Sequence, residues 1–354
     1  MLKFNLMKIR NTIILMNKPM IIHLLLGIFI FTKLSAQKIE TLTSGTKTSF
    51  RGLSVVSDKV IWASGSNGTV AKSIDGGKTW QWITVKNFEK RDFRDIEAFD
   101  KNTAIIIAIA EPANILKTID GGKTWKTVFT DSSKGMFLDA MEFWNRDSGI
   151  VLGDPITGKF FIARTFDGGN NWQKIPFDKL PVAENGEACF ASSGTNVRKM
   201  GRQEACFISG GLRSRLFIRD EKIDLPIIQG TQSTGANSVA INSDKKLKDS
   251  QHIVVVGGDF SNDTSSEKNC AISNDAGKNW FFPKLSPHGY RSCVEFFSQL
   301  KLICCGTSGI DISSDGGMNW QLVSKESFHV CRKAKKGKTV FLAGSNGKIA
   351  KLVL

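Results

Sequence analysis

The sequence predicts an all-β protein: a seven-bladed β-propeller built from Asp-box repeats, with its ring closed by an N-terminal strand. Three observations lead to this prediction. An eight-residue pattern, Ser/Thr-x-Asp-x-Gly-x-x-Trp, occurs five times, seven apolar segments ending in small residues recur, and the last repeat ends one strand short. Self-similarity at about 40 to 50 residues is typical of folds that repeat one small sheet.

The N-terminal segment 1–36 differs from the rest of the chain. It holds five basic residues, no acidic residue and an apolar run over 20–31. This run is too short to span a bilayer, and Leu34-Ser35-Ala36 before Gln37 is typical of a signal-peptidase site. We therefore predict a signal peptide without a lipid-attachment cysteine, and a periplasmic or secreted protein. An uncleaved N-terminal anchor is the alternative.

The propeller domain is expected over 37–354, beginning with a strand at 39–43. The chain ends at 349–354, which reads as the third strand of the seventh repeat. A blade without its fourth strand would leave a sheet edge unpaired. We expect segment 39–43 to supply that strand and to join the two termini.

The repeated motif is predicted to form the turn between the third and fourth strands of a blade. Its hydroxyl and carboxylate groups suit hydrogen bonds to backbone amides, its Gly suits positive φ, and its Trp begins the next strand with a buried ring. A structural role is therefore expected rather than a catalytic one. The motifs contain Asp75 and Trp80, Asp120 and Trp125, Asp167 and Trp172, Asp275 and Trp280, and Asp315 and Trp320.

The second strands of the blades are the clearest strand signals, and their number gives the blade count. The segments are 60–65, 103–110, 149–154, 205–211, 253–258, 302–306 and 340–344. The fourth repeat lacks the motif, since 216–220 is followed by no Gly and Trp at the required spacing. Two loops, 181–202 and 261–269, are long enough to carry function. Their polar, Gly/Ser/Asn-rich composition also fits mobile surface.

Charge and cysteine content limit the classes of partner and cofactor. The formal net charge is +15, or +10 without segment 1–36. A basic surface suits an acidic or membrane-proximal partner, although scattered lysines without a partner explain it as well. Seven cysteines allow a disulfide such as Cys189–Cys206 or a set of buried thiols. No nucleic-acid module, metal-ligand spacing or dinucleotide fingerprint is present, so we expect no nucleic acid, no metal, no cofactor and a monomer.

Two segments, Trp62-Ala-Ser-Gly-Ser-Asn-Gly-Thr-Val70 and Leu342-Ala-Gly-Ser-Asn-Gly-Lys-Ile-Ala350, add to the five motifs. With them the chain resembles the photosystem II stability/assembly factor-like family of seven-bladed Asp-box (BNR-repeat) propellers, in the sialidase-like superfamily. The resemblance covers residues 40–354. It implies an assembly chaperone that holds a partner subunit through an arginine patch. Nothing in the sequence indicates photosynthesis, and the box itself is shared with sialidases and sorting-receptor propellers.

The candidate binding site lies where the inner strands begin. Arg51, Arg94 and Arg291 each stand beside an aromatic residue at such a start. If they converge, their planar guanidinium groups form a mouth that binds carboxylates, together with Tyr290 and Asp139. The alternative is that each arginine pairs with a local acid such as Asp95 or Glu97. Further acids are expected on the same face, at Glu142, Asp154, Glu184 and Glu187.

The sequence therefore predicts an exported, non-catalytic scaffold that binds a partner protein or acidic peptide at this arginine-bearing face. The alternative is a sialidase-like glycoside hydrolase, with the three arginines as its triad and Tyr290 as nucleophile. Because Tyr290 is adjacent to Arg291, a regular strand would point the two side chains to opposite sides. This geometry argues against the hydrolase.

Overall fold

The computed structural model describes residues 37–201, 204–242 and 252–353, and they form seven antiparallel sheets. The predicted signal peptide, 1–36, lies outside the described residues and stays a prediction. In the described part of the chain no helix is long and apolar enough to cross a membrane. The first strand, β1, spans Lys38–Thr43, ahead of the first complete blade.

The first three blades are consecutive four-stranded sheets, and each begins with the inner strand. Blade 1 is β2 (Phe50–Val55), β3 (Ile61–Gly65), β4 (Thr69–Ser73) and β5 (Gln81–Thr84). Blade 2 is β6 (Phe93–Ala98), β7 (Ala104–Ala108), β8 (Ala113–Thr118) and β9 (Lys126–Asp131). Blade 3 is β10 (Leu138–Phe143), β11 (Gly149–Ile156), β12 (Lys159–Thr165) and β13 (Gln173–Lys174), followed by a 3₁₀ turn at Phe177–Lys179.

The remaining blades include the irregular fourth and fifth repeats. Blade 4 is β15 (Val197–Met200), β16 (Glu204–Ile208), β18 (Arg215–Ile218) and β19 (Glu221–Asp224). Blade 5 is β20 (Thr234–Asn242), β21 (His252–Asp259) and β22 (Cys270–Ser273), extended on its inner side by β17 (Gly210–Gly211) and β14 (Glu187–Ala188). Blade 6 is β23 (Cys293–Phe296), β24 (Leu302–Gly306), β25 (Gly309–Ser313) and β26 (Trp320–Ser324). Blade 7 is β27 (Val330–Lys333), β28 (Val340–Ala343) and β29 (Ile349–Val353), with β1 at its outer edge.

The ring is closed by the N-terminal strand, as the sequence predicts. Strand β1 runs antiparallel to β29, with Lys38 opposite Val353 and Ile39 opposite Leu352. Ile39 and Leu42 pack against the apolar core between blades 1, 6 and 7. The inner strands β2, β6, β10, β15, β20, β23 and β27 contact one another in that cyclic order, and β27 returns to β2. They therefore surround a central channel, and the core lies between neighbouring blades.

The five repeated motifs form the same hydrogen-bonded turn. In the first, the Ser73 hydroxyl donates to the Asp75 carboxylate at 2.8 Å and accepts from the Gly77 amide at 2.9 Å. Asp75 also accepts from the backbone amide and the hydroxyl of Thr79, at 3.0 and 2.6 Å. Hydrogen bonds from Thr79 hold the pKa of Asp75 down to about 2. The carboxylate is therefore occupied by its own turn.

The tryptophans of the motifs are less uniformly buried than expected. Trp172 and Trp320 are buried, at 8% and 2% exposure. Trp80, Trp125 and Trp280 are only half-buried and pack against the edges of the cores. The expectation of a fully buried ring in every motif is therefore wrong for these three. Trp80 and Trp125 directly precede the short outer strands β5 and β9, and Trp280 precedes a single bridge between Phe281 and Ile272, so all three lie at the outer edge of a blade.

All seven cysteines are free and buried. The Cys189–Cys206 disulfide is not formed. Cys206 lies in β16 of blade 4, whereas the Cys189 thiol points to the carbonyl oxygen of Ile208 at 3.8 Å. Burial raises the pKa of Cys206 to about 12, as expected for an inert core thiol.

Candidate binding site in the central channel

One side chain per blade occupies the start of the inner strand, and four of these residues lie at β-bulges. The pairing of first and second strands skips Arg51, Arg94, Asp139 and Asn237. A bulge re-aims the extra residue out of the regular alternation of a strand. With Tyr290, these residues form one cluster at the end of the channel where the inner strands begin, which we call the entry mouth.

A segment of the chain fills the channel beside the entry mouth. Residues 189–196, here called the plug, are buried apart from half-buried Phe190. The Arg51 and Arg94 side chains donate to the Ser192 and Ala191 carbonyl oxygens at 3.4 and 3.5 Å. Arg332 from blade 7 donates to the Gly194 carbonyl at 3.1 Å. The expectation that 181–202 is mobile surface is therefore wrong for the plug. Hydrogen bonds to the surrounding blades hold its backbone inside the channel, and its side chains are mostly small enough to fit there.

The approach to the plug is fixed by a buried ion pair. Arg215 of β18 donates from Nε to Glu187 of β14 at 2.9 Å, and both side chains are almost wholly buried. The Ser193 hydroxyl then donates to the Ser292 carbonyl of blade 6 at 2.7 Å. By contrast, most of 261–269 is exposed, as expected for a surface loop.

Arg51 and Arg94 lie close together at the entry mouth. Arg94 forms an ion pair with Asp92 at 2.8 Å. Arg51 is half-buried and pairs with no carboxylate among the described residues. Burial lowers the pKa of Arg51, and the positive charge of Arg94 lowers it further. Of these two neighbouring guanidinium groups, only that of Arg94 has an acidic partner among the described residues.

Arg291 does not belong to this cluster. Its side chain is fully buried and forms an ion pair with Asp311 inside blade 6. It also donates to the Ser308 hydroxyl at 2.8 Å and to the His288 carbonyl at 2.7 Å. The expectation that three arginines converge on one ligand is therefore wrong for Arg291. Its neighbour Tyr290 takes the opposite direction, because successive strand residues alternate sides.

The local acids named as alternative partners of the arginines also bind elsewhere. Asp95 is buried and accepts from the Met141 amide at 2.8 Å, and burial raises its pKa to about 7. Glu97 pairs with Lys335 at 2.5 Å. Neither carboxylate neutralises Arg51 or Arg94.

Tyr290 is a buried structural phenol at the entry mouth. Its hydroxyl donates to the Asn237 side-chain oxygen at 2.8 Å, and burial raises its pKa to about 12. Its ring meets Phe260 edge-on at 6.2 Å, and Phe260 meets Phe190 in the same way at 5.9 Å. Phe260 is 49% exposed and offers an apolar surface beside the arginines. The phenol hydroxyl thus bonds an amide oxygen rather than the kind of carboxylate base that activates a tyrosine nucleophile.

Asp139 and Asp154 bring two carboxyl groups together in blade 3. Asp139 is fully buried, and neither of its oxygens accepts a hydrogen bond from a described residue. Burial and the nearby Asp154 raise the pKa of Asp139 well above its usual value. Burial raises the pKa of Asp154 to about 6, although it accepts from the Cys189 amide at 2.8 Å. Both carboxyl groups therefore ionise at higher pH than an ordinary aspartate.

The other predicted acids lie away from the arginines. Glu187 is held by Arg215, and Glu184 accompanies the same ion pair, with 3.7 Å to Arg215. Glu142 faces the opposite half of the channel, 3.6 Å from Arg198. Of the five binding residues predicted from the sequence, the structure places Arg51, Arg94, Asp139 and Tyr290 at the entry mouth and Arg291 inside blade 6.

Sequence reasoning missed His329, Asn237 and Phe260 at this site. His329 follows Phe328 just before β27, as Arg51 follows Phe50 at the start of β2. The preceding aromatic residue could therefore have indicated His329 as a residue of the channel. Its ring lies 2.9 Å from the Ser345 hydroxyl, and burial with the charges of Arg51 and Arg94 lowers its pKa to about 3. No sequence signal of this kind indicates Asn237 or Phe260. In the described ranges, no group of three or more His, Cys, Asp or Glu could hold a metal ion.

Comparison with solved structures finds several propellers of similar fold. A structure of YCF48 bound to D1 peptide aligns with a TM-score of 0.63 and 19% identity, covering 91% of this chain and 96% of that one. YCF48 from Cyanidioschyzon merolae aligns with a TM-score of 0.61 and 17% identity, covering 90% and 98%. The WD40 propeller domain of Doa1 aligns with a TM-score of 0.61 and 11% identity, covering 90% and 97%. No family model and no curated protein matches the sequence. At these identities the likeness concerns the fold.

Proposed function

We propose that this protein is a non-catalytic scaffold that binds a partner protein or acidic peptide at the entry mouth. The observation that carries the proposal is Arg51. It is a half-buried cation beside a second guanidinium, and only a backbone carbonyl at 3.4 Å accepts from it among the described residues. A carboxylate placed there would relieve the repulsion between the two arginines.

The chemistry of the mouth fits a peptide that carries an acidic and an apolar side chain. Hydrogen bonds to charged groups contribute about 1.5 to 3 kcal/mol, and guanidinium matches carboxylate in a bidentate fork. The exposed ring of Phe260 meets the ring of Tyr290, another entry-mouth residue, edge-on at 6.2 Å and offers an apolar contact there. Affinity would come from the ion pair and selectivity from the aromatic contact.

The comparisons support this reading at the level of architecture. YCF48, a propeller of the same fold, has been solved bound to a D1 peptide. With the sequence motifs, this supports membership of the photosystem II stability/assembly factor-like family and a role as an assembly factor. We propose further that the protein is an exported monomer, periplasmic or secreted, with a membrane-proximal partner.

The proposal is tested by fluorescence anisotropy with a labelled peptide that contains two Glu and one Phe. Arg51→Ala should weaken binding of this peptide about tenfold or more, and 0.5 M salt should weaken it as well, because exposed charges are screened. Arg219→Ala removes an exposed arginine of blade 4, with 69% side-chain exposure, and is the matched control. A library of acidic peptides then extends the search to tighter sequences.

Two results would contradict the proposal. Equal affinity of Arg51→Ala and the unsubstituted protein, with the fold intact by circular dichroism, would move the site away from the entry mouth. Release of sialic acid from a glycoprotein, abolished by Tyr290→Phe, would instead support the glycoside hydrolase.

A further inference from the structure

We infer that the other end of the channel is a second binding site, for a small polyvalent anion that carries phosphate or carboxylate groups. A cavity of about 510 Å³ opens there, where the inner strands end. Small-molecule sites commonly measure about 300 to 1,000 Å³. None of the entry-mouth residues lines this exit cavity, so the inference does not depend on the proposed function.

The acidic side chains of the exit cavity are already neutralised. Arg198 lies 2.9 Å from Glu295 and 3.6 Å from Glu142. Arg332 approaches Glu295 at 3.8 Å, and Lys335 pairs with Glu97 at 2.5 Å. Each of the three lining glutamates therefore has a cationic partner. The fourth lining acid, Asp95, is buried, accepts from the Ile96 and Met141 amides at 2.8 Å, and has its pKa raised by burial to about 7.

The basic side chains of the cavity outnumber these acids. Lys199, Lys333 and Lys336 also line it, and none forms an ion pair with a described residue. The last two belong to a run, Arg332-Lys-Ala-Lys-Lys-Gly-Lys338, with five basic residues in seven. The sequence interpretation of scattered lysines overlooked this run, which the β27–β28 connection brings to the mouth of the cavity.

A buried donor inside the cavity points to the same ligand chemistry. The Nη1 group of Arg332 is buried, and although the Glu295 carboxylate lies 3.8 Å from it, this distance is too long for a hydrogen bond and Nη1 donates none to any described residue. Its other groups donate to the Gly194 and Leu53 carbonyls at 3.1 and 3.4 Å, which fixes the orientation of the guanidinium. An unpaired buried donor of this kind is costly without a partner. An anion oxygen in the cavity would satisfy it.

The combination specifies a ligand with more than one negative charge. One pre-oriented guanidinium at depth and three unpaired ammonium groups nearer the opening suit oxygens spread over a few ångströms. The rings of Phe99, Trp144 and Phe296 also line the cavity and offer flat apolar contacts to an organic part of the ligand. A monovalent anion would leave most of the lysine charge unmatched.

The test is isothermal titration calorimetry of the full chain with inorganic pyrophosphate, ATP and citrate at low salt. Lys333→Gln/Lys336→Gln should weaken binding of the responding probe at least tenfold. The matched control, Lys86→Gln/Lys126→Gln, removes two exposed lysines from the outer side of blades 1 and 2 and should leave the affinity unchanged. Arg51→Ala should also leave it unchanged, which separates this site from the entry mouth.

The outcomes divide clearly. If pyrophosphate or ATP binds and citrate does not, the ligand carries phosphate groups. If only citrate binds, the ligand is a polycarboxylate. Each result supports the inference when Lys333→Gln/Lys336→Gln weakens the binding. No heat from any probe at millimolar concentration overturns the inference. The inference is also overturned if the control Lys86→Gln/Lys126→Gln lowers the affinity as much as Lys333→Gln/Lys336→Gln does, or if only Arg51→Ala lowers it. Thermal melts of each variant verify that the fold is retained.

Discussion

At the scale of single residues, burial decides which of the predicted side chains remain available. Arg51 and Arg291 follow similar aromatic neighbours in the sequence, yet Arg51 is half-buried at the channel and Arg291 is fully buried beside Asp311. The difference is a matter of one position along the strand. Arg51 occupies a bulge, whereas Arg291 occupies the position of blade 6 that corresponds to Phe50, one residue earlier, and its side chain reaches Asp311 of β25.

The pH dependence of stability gives a residue-scale prediction for Asp139. Its folded pKa is raised, so its contribution to stability is complete below the ordinary value of 3.8 and is lost as pH rises through the folded value. Asp139→Asn cannot ionise. We expect it to increase the free energy of unfolding at pH 8 by about 1 kcal/mol or more, and to change it little at pH 4.

The matched control for this prediction is Asp75→Asn, which should show the opposite sign. The pKa of Asp75 is lowered to about 2, so its contribution is present above 3.8 and is lost as pH falls through about 2. The substitution should destabilise the protein at both pH 6 and pH 8. Urea denaturation at pH 4, 6 and 8 measures both variants. A loss of stability at pH 8 with Asp139→Asn would show that the buried carboxyl has an ionic partner.

At the scale of elements, the plug is the feature that most changes the view of the channel. It enters because β14 and β17 extend the inner side of blade 5 and because Glu187 is locked to Arg215. Small side chains then let its carbonyl groups reach arginines of blades 1, 2 and 7. The segment closes the space between the entry mouth and the exit cavity by hydrogen bonds rather than by apolar packing.

The plug makes a testable prediction at Gly194. This residue has φ +64, and an added Cβ would meet the Asp95 carboxyl group. Gly201 also has φ +64 but nothing lies within 4 Å of an added Cβ, so Gly201→Ala isolates the backbone penalty. We expect about 1 kcal/mol of destabilisation for Gly201→Ala and an additional 1 to 3 kcal/mol, roughly, for Gly194→Ala.

Urea denaturation of the two variants checks this prediction, with peptide anisotropy on the same samples. Gly194→Ala should also alter binding at the entry mouth, since it displaces the plug against which Arg51 and Arg94 rest. Equal stability of the two alanine variants would mean that the plug does not pack against Asp95.

At the scale of the whole molecule, the ring depends on the strand that joins the two ends of the chain. Strand β1 covers the outer edge of β29 and adds Ile39 and Leu42 to the core of blade 7. An unpaired β29 would expose both apolar surface and free backbone groups. Closure thus protects the last blade as well as completing it.

Removal of this strand gives the whole-molecule prediction. A chain that begins at Thr46 should unfold with at least about 2 kcal/mol less stability than one that begins at Gln37. It loses two partly buried apolar side chains, Ile39 and Leu42, and losing one fully buried Leu or Ile commonly costs this much. It should also self-associate through β29. Urea denaturation and light scattering measure the two effects. An unchanged midpoint and a monodisperse shortened chain would contradict the role assigned to β1.

The fold could be predicted from the sequence because its determinants are local and repeated. Each motif, such as Ser73 to Trp80, specifies its own turn through hydrogen bonds within eight residues, and the second strands repeat an apolar pattern. The missing last strand and the apolar segment at 39–43 were visible for the same reason. Seven blades and their closure follow from counting such units.

The candidate site was only partly predictable, because it depends on contacts between distant parts of the chain. The starts of the inner strands indicated Arg51, Arg94, Tyr290 and Asp139, which lie together at the entry mouth; their role in binding stays a prediction. The burial of Arg291 against Asp311, the entry of residues 189–196 into the channel and the gathering of Lys199 with Lys333 and Lys336 involve residues from different strands or blades. The sequence by itself determined the blades and their number, whereas the tertiary structure decided which charges are paired, buried or open to a ligand, since those properties depend on what each side chain meets across the ring.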